Sequence, residues 1–380
     1  MNDIEYLQRI SMADRFFVRY EGLRSQRIKK IFKDPKKVHP FVAYSDDTQL
    51  SIRTYKAVRN SITNGSLDCA KAVSKFRREL KYWFIGLPPH LGKATAISCL
   101  KNLIGLKNSG YPSAGNGALM RIGVVARFFK NKDIFETEAA AKIRTLCLEN
   151  TLVTHKNYEA CVVNLWHVIL CLGFKNAHLY YTASALVAQL DELFKLLVNW
   201  VESSNPFFET NKLSKSNKSL DEIVTYSKTI DAIKTNLSLT SFMTENKELY
   251  GESGVSGYCA TTSAFATLSF LQSLISYSEN QQFDFLTKCR QLAELGGDTD
   301  TVVVVYSHLF FNAYPRYTCL CDKVSKSLYS DQDFYLELNL NFLKREDFLF
   351  NISHALKLIP KNVWLLFKMI AIRLNDIVRY

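Results

Sequence analysis

No stretch of this 380-residue chain approaches the roughly 20 uncharged apolar residues that a membrane span needs. The N-terminus, Met-Asn-Asp-Ile-Glu, carries acids where a secretory leader would carry an apolar core. The expectation is a soluble, cytoplasmic protein with no membrane partner. Alternating strand patterns are scarce, and there is neither an internal repeat nor an alternation of strand with helix, which argues against a doubly wound sheet. The nine cysteines are odd in number and lie mostly in apolar or helical stretches, so they read as reduced core residues. Cys319-Leu-Cys321 is the one close pair, and it lacks the second pair or nearby histidine that a zinc site requires. His39, His90, His167, His178, His308 and His354 stand alone without metal or triad spacing and are assigned structural roles. Gly251-Glu-Ser-Gly254-Val-Ser-Gly257 is glycine-rich but has neither dinucleotide spacing nor a preceding strand, leaving a binding-site loop or a flexible turn.

What is present is an ordinary globular composition, 47% hydrophobic and 22% charged, with a formal net charge of +12. A positive surface steers phosphates towards it and raises the case for a polyanionic partner. The densest basic stretch runs through Arg24, Arg27, Lys29, Lys30, Lys33, Lys36 and Lys37, opposed only by Asp34. It reads either as a solvated basic loop or as a ligand-facing segment. The 25 Phe and 19 Tyr follow helical core spacing rather than interleaving with cations, which disfavours a nucleic-acid stacking platform.

Helical periodicity runs almost throughout. Apolar stripes cover Ile4 to Tyr20, Leu50 to Ile62, Glu138 to Leu148, Tyr158 to Leu172, Tyr181 to Val201, Leu220 to Leu237, Thr262 to Ile275, Phe283 to Leu295 and Thr301 to Asn312. Val302 to Val305 are four successive β-branched residues that could form a short strand, but the glycine and Asp-Thr turn before them favours a capped helix. Ser203 to Lys218 and Gly105 to Gly117 read as surface loops. No strong linker divides the chain, so a single domain spanning residues 1 to 380 is expected, with a core from about 10 to 310. An amphipathic C-terminal helical extension follows from about 322, broken at Pro360.

Two clusters of hard oxygen donors carry the chemistry. Ser45-Asp-Asp-Thr48 and Asp298-Thr-Asp-Thr301 each offer two carboxylates beside hydroxyls, and such donors suit Mg²⁺, Ca²⁺ or Mn²⁺ rather than zinc. Either cluster alone is most simply a helix cap. If both meet, four like charges in one pocket demand cations, and two Mg²⁺ ions could orient a water, a ribose hydroxyl or a phosphate for metal-assisted hydrolysis. Gly115-Asn116-Gly117 is a weaker signal, a turn whose glycines permit close backbone approach to a phosphate and whose Asn tolerates left-handed geometry. A helix beginning near Leu119 would add its N-terminal dipole. His155 reads as a capping residue before a helix from about Tyr158.

Together these residues resemble the ADP-ribosylglycohydrolase family, of the dinitrogenase-reductase-activating glycohydrolase type. The resemblance rests on Tyr44-Ser-Asp-Asp-Thr-Gln-Leu-Ser51, Gly115-Asn-Gly-Ala-Leu-Met-Arg121, Thr154-His155, Ser256-Gly257-Tyr258 and Gly296-Gly-Asp-Thr-Asp-Thr301, in that order. It implies an all-α fold, a compact orthogonal multi-helix bundle, with two Mg²⁺ ions, or Mn²⁺, at the base of a cleft that holds ADP-ribose. Ser45, Asp46, Asp47, Asp298, Asp300 and Thr301 would be the metal ligands, and Gly115, Asn116, Gly117, His155, Gly257 and Tyr258 would line the substrate. Glu21 would activate water or polarise the substrate, with Asp47 and Asp298 as further catalytic candidates. The implied partner is ADP-ribose or an ADP-ribosylated protein, with nucleic-acid-linked ADP-ribose an alternative acceptor. Phe16, Phe17 and Val18 stand where the family has small residues, so the first helix is expected to pack differently or to narrow the cleft.

Overall fold

The chain marks its helix starts with short polar side chains. Asn2 and Ser219 form capping boxes with Glu5 and Glu222, and Ser45, Asp68, Asn157 and Thr182 each accept a hydrogen bond from a backbone amide of the first turn. Each satisfies a donor that the helix cannot pair internally. The computed structural model describes residues 1–33, 44–88, 90–175, 182–251, 254–279, 283–317 and 343–378. Among the described residues the helices are α1 (Asp3–Phe17), α2 (Ser25–Phe32), α3 (Asp46–Arg59), α4 (Cys69–Ile85), α5 (Lys93–Leu103), α6 (Leu119–Ile122), α7 (Thr137–Leu152) and α8 (Tyr158–Gly173). They continue as α9 (Ala183–Glu202), α10 (Asn205–Thr210), α11 (Leu220–Val224), α12 (Tyr226–Lys234), α13 (Leu239–Glu245), α14 (Cys259–Glu279), α15 (Phe285–Ala293), α16 (Thr299–Ala313) and α17 (Phe348–Val378). The only sheets among them are two antiparallel hairpins, Ile62–Thr63 with Ser66–Leu67 and Tyr250–Gly251 with Gly254–Val255. The fold is all-α, as the periodicity predicts.

Helix α16 lies at the centre, packed against α1, α8, α14 and α15 and buried along its whole length. That all-round burial explains Val302 to Val305. Their propensity disfavours helix only slightly, whereas burying each side chain contributes roughly 1.5–3 kcal/mol, so tertiary packing decides. Helix α3 packs on α1, α4 and α6. The N-termini of α3 and α16 therefore open onto one place.

Several expectations change. The basic segment is not a loop where it is described: Ser25–Phe32 is a helix because Ile28, Ile31 and Phe32 share one buried face, leaving Lys29 and Lys30 exposed. Within Ser203–Lys218, α10 forms because Pro206 pre-sets its first turn and Phe208 is buried. The stripe from Leu220 to Leu237 is broken at Thr225, whose φ of 54° turns the chain so that α11 packs on α8 and α12 on α9 and α14. Helix α17 runs through Pro360 without a break, since Asn351 and Ala355 before it and Asn362 after it are all buried. Helices α4 and α5 have no counterpart among the expected stripes. Phe16, Phe17 and Val18 are absorbed into the core, where Phe17 meets Tyr20 and Phe32 at ring separations of 6.4 Å. None of the seven described cysteines is joined in a disulfide. Asp34, Lys36, Lys37, His39, His178, Cys319 and Cys321 lie outside the described residues. Among the described residues no helix is long and apolar enough to cross a membrane.

Candidate active site

Ser45 is the N-cap of α3, its Oγ accepting from the Asp47 amide at 3.1 Å, which puts Asp46 and Asp47 in the first turn. The cap is held by Asp14 of α1. Asp14 Oδ2 accepts from the Ser45 amide at 2.9 Å, Ser45 Oγ at 3.0 Å, Thr48 Oγ1 at 2.7 Å and the Thr48 amide at 3.3 Å. One buried carboxylate oxygen thus fixes the start of the helix that carries the first acid cluster.

The second cluster hangs on a glycine turn. Gly296 and Gly297 have φ values of 79° and 81°, and a Cβ on Gly297 would lie 2.1 Å from the Val255 carbonyl oxygen, so no side chain is tolerated there. Gly297 donates to the Leu23 carbonyl at 2.9 Å and accepts from the Gly22 amide at 2.7 Å, while Asp298 donates to the Val255 carbonyl at 2.9 Å. This ladder brings Glu21, the α16 N-terminus and the 250–255 hairpin together. Thr301 Oγ1 donates to Asp47 Oδ1 at 3.2 Å, joining the two clusters across 254 residues of sequence. Carboxylate oxygens of Glu21, Asp298 and Asp300 lie within 4.8 Å of one another.

Burial raises the pKa of Asp46, Asp47, Asp298 and Asp300, and neighbouring acids raise them further. Glu21 is the largest charge acting on Asp46, Asp298 and Asp300, and Asp46 is the largest acting on Asp47. Asp14 is pushed up to about 6 by burial, against the pull of its hydrogen bonds from Thr48 and Ser45. Asp14 Oδ1, Asp47 Oδ2 and Asp300 Oδ1 are buried acceptors that receive no hydrogen bond. Unsatisfied oxygens in a ring of mutually repelling carboxylates fit a hard divalent cation, which would supply the missing charge to each.

Glu21 follows a short 3₁₀ turn over Val18–Tyr20 and forms an ion-pair contact through Oε2 with His90 Nδ1. Neither His90 nor Asp14 was legible as a site residue. His90 sits on a turn at φ 63° with no helical or metal spacing around it, and Asp14 lies inside an amphipathic helix where an acid reads as surface. The usable signal for Asp14 was its place on the buried stripe.

The Gly115–Gly117 turn works differently from expectation. None of Gly115, Asn116 and Gly117 has a positive φ. Its glycines serve close packing instead: a Cβ on Gly117 would meet Thr95 Oγ1 at 2.9 Å and His155 Cε1 at 3.0 Å, and one on Gly115 would meet His155 Nε2 at 3.4 Å. The Asn116 amide is spent on Thr262 Oγ1 at 2.9 Å and Asp298 Oδ2 at 2.8 Å, so it orients a carboxylate of the second cluster. Helix α6 spans a single turn before passing into a 3₁₀ segment, too short for the anion-attracting dipole anticipated from the sequence.

His155 is buried beneath this turn, not exposed as a cap, with Nδ1 2.9 Å from Thr154 Oγ1. Arg121 pins the Thr154 hydroxyl at 2.9 Å and donates to the carbonyls of Asn150 and Ala118. Burial, and then the Arg121 charge, push the His155 imidazole down to about 3, so it is neutral at physiological pH. Tyr258 bridges to Gly115 through the backbone and donates its hydroxyl to Glu159 Oε2. Lys218 Nζ donates to the same hydroxyl at 2.9 Å and lies 4.9 Å from the ring centroid, so the 211–218 segment reaches this rim, which sequence pattern did not foretell. Gly257 accepts from the Asn116 amide at 2.9 Å and lies against Asp298.

A family model described as ADP-ribosylglycohydrolase matches residues 12–310 of the chain. No curated protein matches it. Among solved structures it is similar to one titled "ADP-ribosylglycohydrolase-related protein complex", at 17% identity and a TM-score of 0.46, with 94% of this chain and 97% of that chain covered.

Proposed function

The chain belongs to the ADP-ribosylglycohydrolase family, and from that premise we propose that it is a Mg²⁺-dependent hydrolase that removes ADP-ribose from a modified target by cleaving the glycosidic bond at the distal ribose. The observation that carries this reading is the convergence of Glu21, Asp298 and Asp300 within 4.8 Å, beside the unsatisfied oxygen of Asp47. Ser45, Asp46, Asp47, Asp298, Asp300 and Thr301 would hold two Mg²⁺ ions, with Mn²⁺ a competent substitute. Bound cations would supply Lewis acidity and a water of lowered pKa.

The remaining roles fall to the chain itself. Glu21, less buried than Asp300, would take the proton of the attacking water, and the His90 contact would set its orientation. Asn116 would hold Asp298 in place. The Gly115–Gly117 loop would lie against the diphosphate, its Asn116 amide held by Gly257, and backed by a His155 that stays neutral and so contributes hydrogen bonding rather than charge. Tyr258 would close the ligand side of the cleft.

One observation favours a second reading, a relative that binds ADP-ribose without turning it over: the carboxylate needed for water is already engaged by His90. The deciding experiment is ADP-ribose release from arginine-, serine- and DNA-linked substrates with Mg²⁺ and with EDTA. Release that requires the metal and disappears in Glu21→Gln supports hydrolysis. Binding of ADP-ribose with no release from any substrate favours the second reading.

A further inference from the structure

We infer that the cavity walled by α12, α14 and α15 is a second binding site, for a small oxyanion carried on an apolar body. It is independent of the acid cluster and of the activity proposed for it. Its volume of about 650 Å³ lies within the ~300–1,000 Å³ typical of small-molecule sites. Buried Ala232, Ile233 and Leu239 contribute apolar surface.

The polar wall is built around Lys288. Its Nζ donates to Gln272 Oε1 at 2.8 Å, and Gln272 Nε2 donates in turn to the Leu237 carbonyl at 2.7 Å. The amide is therefore fixed with its oxygen towards the lysine. An ammonium has three donors, and this bond uses one. The only carboxylate among the described lining residues, Glu294, is engaged by Arg290 at 3.3 Å. Lys234 adds a second cation to the wall. Lys288 is part-buried, and drawing its charge partly out of water without an acid is costly. Partial burial pushes Lys288 down to about 8, which leaves it mostly charged at neutral pH, and no carboxylate among the described residues pairs with it. The bland alternative is a lysine whose stem packs while its head stays in water. It does not explain why the head is held against a fixed amide on the cavity wall.

The probes are phenyl phosphate, benzoate, inorganic phosphate and the neutral benzyl alcohol, applied to the full chain in EDTA. The readout is the rate at which an amine reagent labels Lys288, followed by peptide mass spectrometry. Phenyl phosphate or benzoate is expected to slow labelling saturably while benzyl alcohol does not, and the arm that protects identifies the headgroup as phosphate or carboxylate. Inorganic phosphate should protect more weakly, because it leaves the apolar floor unfilled. In calorimetric titrations with the anion that protects, Lys288→Met should weaken binding about tenfold or more, as loss of a charged hydrogen bond does, and Lys288→Arg should retain part of it. If Lys288→Met fails to fold, labelling of the wild type still decides. Protection by the alcohol equal to that by the anions, or unchanged labelling with both organic anions, overturns the inference.

Discussion

Asp14→Asn should stabilise the metal-free protein at neutral pH, although it alters a buried residue with four hydrogen bonds. Asp14 is fully buried and its pKa is raised from 3.8 to about 6. A carboxyl raised on folding favours the native state while protonated, and that benefit is lost as pH rises through the folded value. At roughly 1.4 kcal/mol per pKa unit, the ionised form costs the fold about 3 kcal/mol at neutral pH. Asparagine removes this charge and keeps an oxygen to accept from Ser45 and Thr48. Its NH₂ replaces the unbonded Oδ1, and leaving that group unpaired would return about 1–3 kcal/mol. The net change at neutral pH therefore lies between zero and about 3 kcal/mol of stabilisation. The pH dependence is the sharper quantity: the stability difference between variant and wild type should shift by about 2 kcal/mol in favour of the variant from about pH 4.5 to about pH 8. Relief of Asp46, Asp47 and Asp300, each pushed up in part by Asp14, would add to it. Urea unfolding in chelator across that range measures the difference. A flat difference, or a variant that loses stability as pH rises, refutes the reasoning.

Gly117→Ala places a methyl 2.9 Å from Thr95 Oγ1 and 3.0 Å from His155 Cε1, and thermal unfolding should show a loss of about 1–3 kcal/mol as His155 is displaced. The His155 ring protons should show no NMR titration above about pH 4.5, because burial holds the imidazole near 3; a midpoint near 6.5 would contradict that. Glu79→Gln removes the carboxylate whose two oxygens Arg53 and Lys56, both buried, contact at 3.0 and 3.1 Å. Denaturant unfolding should register a loss of about 3–5 kcal/mol, with faster hydrogen exchange in α17, whose Asn351 shares Lys56.

The helical class and both acid clusters were legible in the sequence because they depend on local pattern: apolar spacing near 3.6, and cap residues that must precede a helix. Val302 to Val305 form helix as expected against their propensity, but not through the expected cap: Asp298 at the start of α16 makes no side-chain capping bond, and burial decides instead. What escaped depends on long-range pairing. Asp14 and Ser45 lie 31 residues apart, and Glu159 and Tyr258 lie 99 apart, so no window contains either pair. The segment Ser25–Phe32 was misread for a different reason. Its cations dominate the composition, while only Ile28, Ile31 and Phe32 carry the helical signal. The Gly-Asn-Gly turn suggests left-handed backbone at Asn116, which the structure does not show; the glycines make room for His155 and the Asn116 side chain bonds Asp298.

The central claim is that the acid clusters on α3 and α16 form one metal site. Calorimetric titration of Mg²⁺ into chelator-stripped wild type, Asp47→Asn and Asp298→Asn tests it most directly. One shared site predicts saturable binding to the wild type that is lost, or weakened at least tenfold, in both variants. Binding that survives at full affinity and reduced stoichiometry in either variant would mean two independent clusters and contradict the account.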